Sequence, residues 1–525
     1  MKNERLDVSR RREIKNIDIT LILIPLIIIS FLCLVFFIYP EQSKNVVDSI
    51  RGFIGNELGF YYMLLGISIF AITIYIAFSK YGKIRLGNTD KPQYSNFSWG
   101  LMIFTSTMAA DILFYSLCEW ALYAEEPHIE QLGGVQEWAS TYSLFHWGPI
   151  PWGFYIVLAV AFGFMIHVRG TNKQKFSEAC RPILKEKTDG IFGKIIDLVA
   201  LIGLLAGTAT TFSLATPLLL ESLCTVFGIK GSIALTIALL IIIALVYTLT
   251  ILFGMKGISK LASICSYFFF ALVLYFLIGG GEFVYIIETG ITSIGNLTQN
   301  FISLATNMDP LRTTGDGQVG FVQNWTIFYW AYWMVWCVAT PFFIGMISKG
   351  RTIKNMILGA YVAGLLGTFT SFIVFGNYGM AQQMKHGMDI SGSILNGANI
   401  PTVIISIFQT LPMQQLGLIL LVITMIAFYS TTFDAITMVV SYYSYKNLKP
   451  NQEPDKKVRI FWSILFILFP IALIFSENSM HSLQSVSIIA AFPIGIVIML
   501  IIASFFKDAR AYIKQNKNKI DNGES

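Results

Sequence analysis

Seven large aromatic side chains crowd twelve residues of this sequence: Trp325, Phe328, Tyr329, Trp330, Tyr332, Trp333 and Trp336. They lie inside the stretch 324–352, NWTIFYWAYWMVWCVATPFFIGMISKGRT. On a helix, Tyr329, Trp333 and Trp336 form an i, i+4, i+7 stripe, and Tyr332 lies beside Trp336 across one turn. Aromatic belts at a membrane surface occupy helix ends, whereas this density runs on into the apolar segment. A cluster of π faces in a low-dielectric site suits a cation that donates no hydrogen bond, a quaternary ammonium. Each face contributes ~0.5–2 kcal/mol, so about three or four faces reach micromolar binding. The same residues also serve helix packing and an interfacial belt, and this stretch alone leaves both readings open.

Three further stretches place polar chemistry inside apolar runs. FSWGLMIFTSTMAADILFYSLCEWALY (97–123) holds Thr105, Ser106 and Thr107, then Asp111 and, two turns on, Glu119. A carboxylate near mid-bilayer costs a few kcal/mol and needs a partner, a proton or a water-filled site. FHWGPIPWGFY (145–155) opens another run, with Pro149 and Pro151 suited to a helix start. There Trp152 and Tyr155 share a face, and Trp147 before the turn is placed to fold over the same site. MIAFYSTTFDAITMVV (425–440) carries Ser430, Thr431, Thr432 and Asp434. Such hydroxyls can complete a sodium site with backbone carbonyls, or bond back to their own helix.

The elements that must position these residues are membrane helices. The chain has 525 residues, 55% of them hydrophobic and 13% charged, the composition of an all-α polytopic membrane protein. Apolar runs define twelve candidate spans, near 18–40, 59–79, 97–123, 146–168, 195–224, 233–254, 262–280, 324–347, 354–376, 414–442, 458–476 and 483–506. The first reads as a span, not as a removed leader. Basic loops (80–96, 169–194, 348–353, 443–457) alternate with basic-poor ones (124–145, 281–323), which puts both termini in the cytoplasm of a cell-membrane protein. The net charge of +6 is therefore topology and not a nucleic-acid signal. The sequence shows no Cys/His ligand spacing, no phosphate-binding GxxxxGK[ST] loop and no nucleophile–base constellation, so neither a metal site, nor ATP hydrolysis, nor an enzyme is expected. Nothing resembles a selectivity filter.

The layout expected is two leading helices (18–79) after a terminus at 1–17, a first five-helix half (97–280), an amphipathic connector (282–307), a second half (324–506) and a tail (507–525). Each half opens on a helix with site-like chemistry, the pattern of an inverted-repeat transporter.

The motif WTIFYWAYWMVW followed by ISKGRT, together with FHWGPIPW, resembles the signature of the betaine/choline/carnitine transporter family. The resemblance spans nearly the whole chain. It implies a LeuT-type core of five plus five helices in spans three to twelve, two extra N-terminal helices and a homotrimer. It implies that Trp147, Trp152, Tyr155, Phe328, Tyr332, Trp333 and Trp336, with Met108, surround the ammonium and its entry route. It also implies that Thr431 and Thr432, with Met108, hold a sodium ion; the coupling ion is Na⁺ or H⁺. The family often has Trp where Tyr332 stands here. The carnitine antiporter branch has an Arg in span seven where this chain has Cys265. Many betaine carriers have a Gly-rich segment in span three, where this chain reads Thr107-Met108-Ala109-Ala110-Asp111, and Asp111 matches the Asp of choline carriers. Choline is a bare cation, and a fixed carboxylate supplies the countercharge that betaine and carnitine bring with them. The expected function is secondary active transport of choline by alternating access, with carnitine/γ-butyrobetaine exchange or glycine betaine:Na⁺ symport as alternatives. The tail after Phe506 is shorter than the charged extensions of osmotically regulated members.

Overall fold

The computed structural model describes residues 16–107, 110–171, 173–314, 319–448, 452–474 and 480–521. Among them the chain is nearly all helix, with two isolated β-bridges and no strand. Backbone polar groups in a hydrocarbon solvent must be satisfied within their own segment, which leaves the helix as the available form.

Seven helical stretches are long and apolar enough to cross a membrane, and three further pairs qualify when each bent pair counts as one span. The first three candidate spans hold α1 (Ile19–Ile38), α2 (Gly59–Phe78) and α3 (Asn96–Thr107). A bend of 71° separates α3 from α4 (Ala110–Ala124). After α5 (Val135–His146) comes α6 (Pro149–His167), then α7 (Ile191–Phe227) and α8 (Ile233–Gly279). The connector α9 (Phe283–Thr306) leaves α8 at 113°. The aromatic segment is α10 (Ile327–Trp336), bent by 56° from α11 (Thr340–Ile347). The remaining long helices include α12 (Ile353–Ser371), α13 (Gln414–Tyr443), α14 (Lys456–Ile474) and α15 (Met480–Asp521).

Ten of the twelve expected spans thus have a counterpart. The other two fall on α8 and α14, parts of whose side chains lie outside the described residues. The helix α8 runs unbroken for 47 residues, through the gap at 255–261 that separates candidate spans six and seven. At ~1.5 Å per residue it is about twice as long as the hydrocarbon is thick.

The third and eighth spans, which carry the candidate chemistry, are both interrupted. The break in the third span falls between Thr107 and Ala110. In the eighth, α10 ends at Trp336 and α11 restarts with Pro341 in its first turn, where a missing N–H costs nothing. On the face of the basic loops, Arg181 bonds Glu178 and Asp189. That guanidinium holds the Asp189 carboxyl down to about 2, so the clasp is ionised at neutral pH.

Candidate functional site

Trp333 sits at the centre of a ring cluster. Its indole is 5.5 Å from Trp147, 5.5 Å from Trp152 and 4.7 Å from Tyr155, all edge-on or tilted, which is the geometry that aromatic quadrupoles favour. Sequence spacing put Trp152 and Tyr155 on one face of α6, and their rings lie 6.0 Å apart. Trp147 caps the end of α5, and its carbonyl accepts a 2.9 Å hydrogen bond from Thr368 of α12. Gly364, one turn earlier on α12, leaves room for Trp152: a Cβ there would come within 2.4 Å of the indole.

Tyr332, one residue before Trp333, points about 100° away round the helix. Its hydroxyl bonds the Asp111 carboxylate and, at 2.5 Å, the Thr211 hydroxyl of α7. Thr211 also donates to Asp111 at 3.2 Å. Asp111 is buried, 3% exposed, and no basic side chain among the described residues pairs with it. The Tyr332 ring stacks on Phe328 at 5.5 Å and meets Tyr115 at 6.4 Å. Trp336 packs against α7 at Gly207, whose missing Cβ would lie 3.4 Å from the indole nitrogen. Gly207→Leu is therefore expected to displace Trp336 and lower substrate affinity about tenfold or more, read by equilibrium binding to the purified variant.

All seven aromatic candidates are thus buried, at 5% exposure or less. They face two directions from α10: Trp333 toward α5 and α6, Tyr332 and Trp336 toward α4 and α7. Met108, placed both at the substrate and at the ion, lies outside the described residues.

Thr431 of α13 is turned toward the interruption in the third span. Its hydroxyl lies 3.4 Å from the Thr105 carbonyl at the end of α3. It also bonds back to the carbonyls of Ala427 and Phe428 at 3.2 and 3.1 Å, and the Cys265 thiol of α8 reaches it. Thr432 beside it is buried. Asp434, one turn on, faces Arg459 of α14 at 2.8 Å, with both side chains at 3% exposure or less. Arg459→Leu removes the cation that faces this buried carboxylate, an expected cost of about 3–5 kcal/mol, visible as lost thermal stability of the purified protein.

Sequence reasoning did not place Glu119 in the site. It is fully buried and accepts hydrogen bonds from Trp147 Nε1 (2.8 Å), Tyr329 Oη (2.5 Å) and Tyr123 Oη (2.9 Å). Tyr115, Thr211 and the Thr105 carbonyl were likewise not singled out as site atoms. Tyr115 had a readable signal, since it stands one turn beyond Asp111 on the same face; the partners across helices had none.

The chain matches the family described as BCCT, betaine/carnitine/choline family transporter, over residues 20–514. It belongs to that family: a multi-pass membrane transporter and not an enzyme. It is similar to the glycine betaine transporter OpuD of Bacillus subtilis, 29% identical over 477 residues covering 90% of each chain. A carnitine transporter of Acinetobacter baumannii is 26% identical over 467 residues, covering 88% of this chain and 84% of that one. A Na⁺-coupled sialic acid symporter, solved in a substrate-bound outward-open state, aligns with a TM-score of 0.46 at 14% identity, covering 84% of this chain and 86% of that one.

Proposed function

We propose that this protein is a secondary active transporter of a quaternary ammonium compound, and that the compound is choline. The observation that carries the substrate is Asp111. It is a buried carboxylate that accepts bonds from two neutral hydroxyls and pairs with no basic side chain among the described residues. Tyr332 ties it to the aromatic helix. A trimethylammonium among Trp147, Trp152, Tyr155, Trp333 and Trp336, with Phe328 and Tyr332 beside them, gains cation–π energy from the rings and its countercharge from Asp111. Transport then proceeds by alternating access: the five-helix halves rock about the interrupted third and eighth spans, with both termini cytoplasmic and three copies per assembly.

A second reading has its own support. The indole nitrogens of Trp152 and Trp333 are buried donors without a partner among the described residues. The carboxylate of glycine betaine or carnitine is an acceptor of the kind they lack, and the two relatives above carry those names.

Sodium is the coupling ion this reading favours. The supporting contact is the Thr431 hydroxyl against the Thr105 carbonyl, oxygen donors from two elements that a hard cation would share. Proteoliposome uptake with choline, carnitine and glycine betaine in competition, under imposed Na⁺ or proton gradients, tests both points. Replacing Thr431 and Thr432 together by alanine is expected to abolish the sodium dependence of uptake. A double variant whose uptake still follows the sodium gradient would place the ion elsewhere.

A further inference from the structure

The buried carboxylate that the transport scheme leaves unused stands at the end of a hydrogen-bonded chain. Glu119 Oε1 accepts from Tyr123 Oη at 2.9 Å, Tyr123 Oη lies 2.7 Å from His146 Nδ1, and His146 Nε2 lies 2.9 Å from Thr326 Oγ1. Every member is buried, at 1% exposure or less. Thr326 adjoins Trp325, a half-buried residue that bonds Glu126 in the loop 124–145 at 2.6 Å. The other carboxylate oxygen holds Trp147 and Tyr329, and Trp147 is a wall of the ring cluster around Trp333.

We propose that Glu119 is a proton-binding site, loaded through Thr326, His146 and Tyr123, and that its proton and a cationic substrate oppose each other. This rests on the choline reading above only for its second half.

The chain has two complete proton arrangements. With Glu119 ionised, Tyr123 donates to Glu119, His146 Nδ1–H donates to Tyr123, and Thr326 donates to His146 Nε2. With Glu119 protonated, every bond reverses: Glu119 donates to Tyr123, Tyr123 to His146 Nδ1, and His146 Nε2–H to Thr326. Going from the first to the second takes up one proton at the Thr326 end and moves each proton along by one place. No bond is lost in either state. The groups facing Glu119 are Tyr115, Cys118 and Tyr123 on its own helix, Ser143, His146 and Trp147 from α5, and Tyr329 from α10. Among the described residues no Lys or Arg reaches it. Ionised, it adds a negative charge two turns from Asp111; protonated, it withdraws that charge, and a bound ammonium loses part of its attraction.

The test is two measurements on the full-length purified protein. Infrared difference spectra between about pH 8 and about pH 5 should show a carboxylic-acid C=O band that Glu119→Gln removes. Choline binding over the same range should weaken about tenfold in the wild type and stay flat in Glu119→Gln. A band and a pH slope that survive in Glu119→Gln would overturn the proposal and move the proton to another group, with Asp111 first in line. Should that variant not fold, Tyr123→Phe interrupts the chain while leaving Glu119 its other donors, and is expected to slow the band's appearance after a pH jump; an unchanged rate overturns the relay. If the Glu119 band is present but choline does not bind at any pH, the substrate reading fails and the proton site stands.

Discussion

Asp111→Gly is expected to lower choline uptake about 100-fold while changing glycine betaine uptake by less than about threefold. At an effective dielectric constant of ~20 and a separation of ~5 Å, a carboxylate contributes about 3 kcal/mol to holding a monovalent cation, and a zwitterion that carries its own carboxylate draws no such net benefit. The substitution leaves few loose ends. Tyr332 and Thr211, the two donors to Asp111, already lie 2.5 Å from each other and remain partnered when it is gone. Parallel uptake of both labelled compounds into proteoliposomes reads the ratio. Equal losses would mean that Asp111 supports the helix interruption and not the charge of the substrate.

Trp333→Ala carries the second large effect. Among the described residues Trp333 is the one ring that touches Trp147, Trp152 and Tyr155 together, so truncation removes a π face and unlocks the cluster. A desolvated face contributes ~2 kcal/mol to cation binding, about 30-fold in affinity. Trp333→Phe keeps a face but loses the indole N–H, and should recover most of the choline affinity. If a substrate carboxylate instead takes that N–H, the phenylalanine variant should discriminate against glycine betaine and leave choline nearly untouched. Equilibrium binding of both compounds to both variants separates the two.

How much of this was legible in the sequence depended on the kind of contact. Periodicity within one helix was readable, so the pairing of Trp152 with Tyr155 was expected; the break after Thr107 was not, because no glycine or proline marks it. Hydropathy and charge placed ten spans where helices or bent helix pairs stand. Contacts between helices were not readable. The stripe Tyr329, Trp333, Trp336 looked like one face with one task, yet Tyr329 serves Glu119, Trp333 the ring cluster and Trp336 the glycine of α7. A helix buried on all sides uses its whole circumference, and the 3.6-residue period then marks direction without marking the partner. Asp434 shows the same limit: its partner, Arg459, is 25 residues away on another helix, and the polar run Ser430–Asp434 read alone left ion ligation and bonding back to its own helix equally open.

The most direct test of an ammonium held by ring faces compares choline with its carbon isostere, in which a quaternary carbon replaces the nitrogen. Shape, volume and hydroxyl are retained, and only the charge is removed. Bound to the purified protein, choline is expected to be held at least about 100-fold more tightly than the isostere. Equal affinity for the two would contradict the account, because the pocket would then be recognising bulk and not charge.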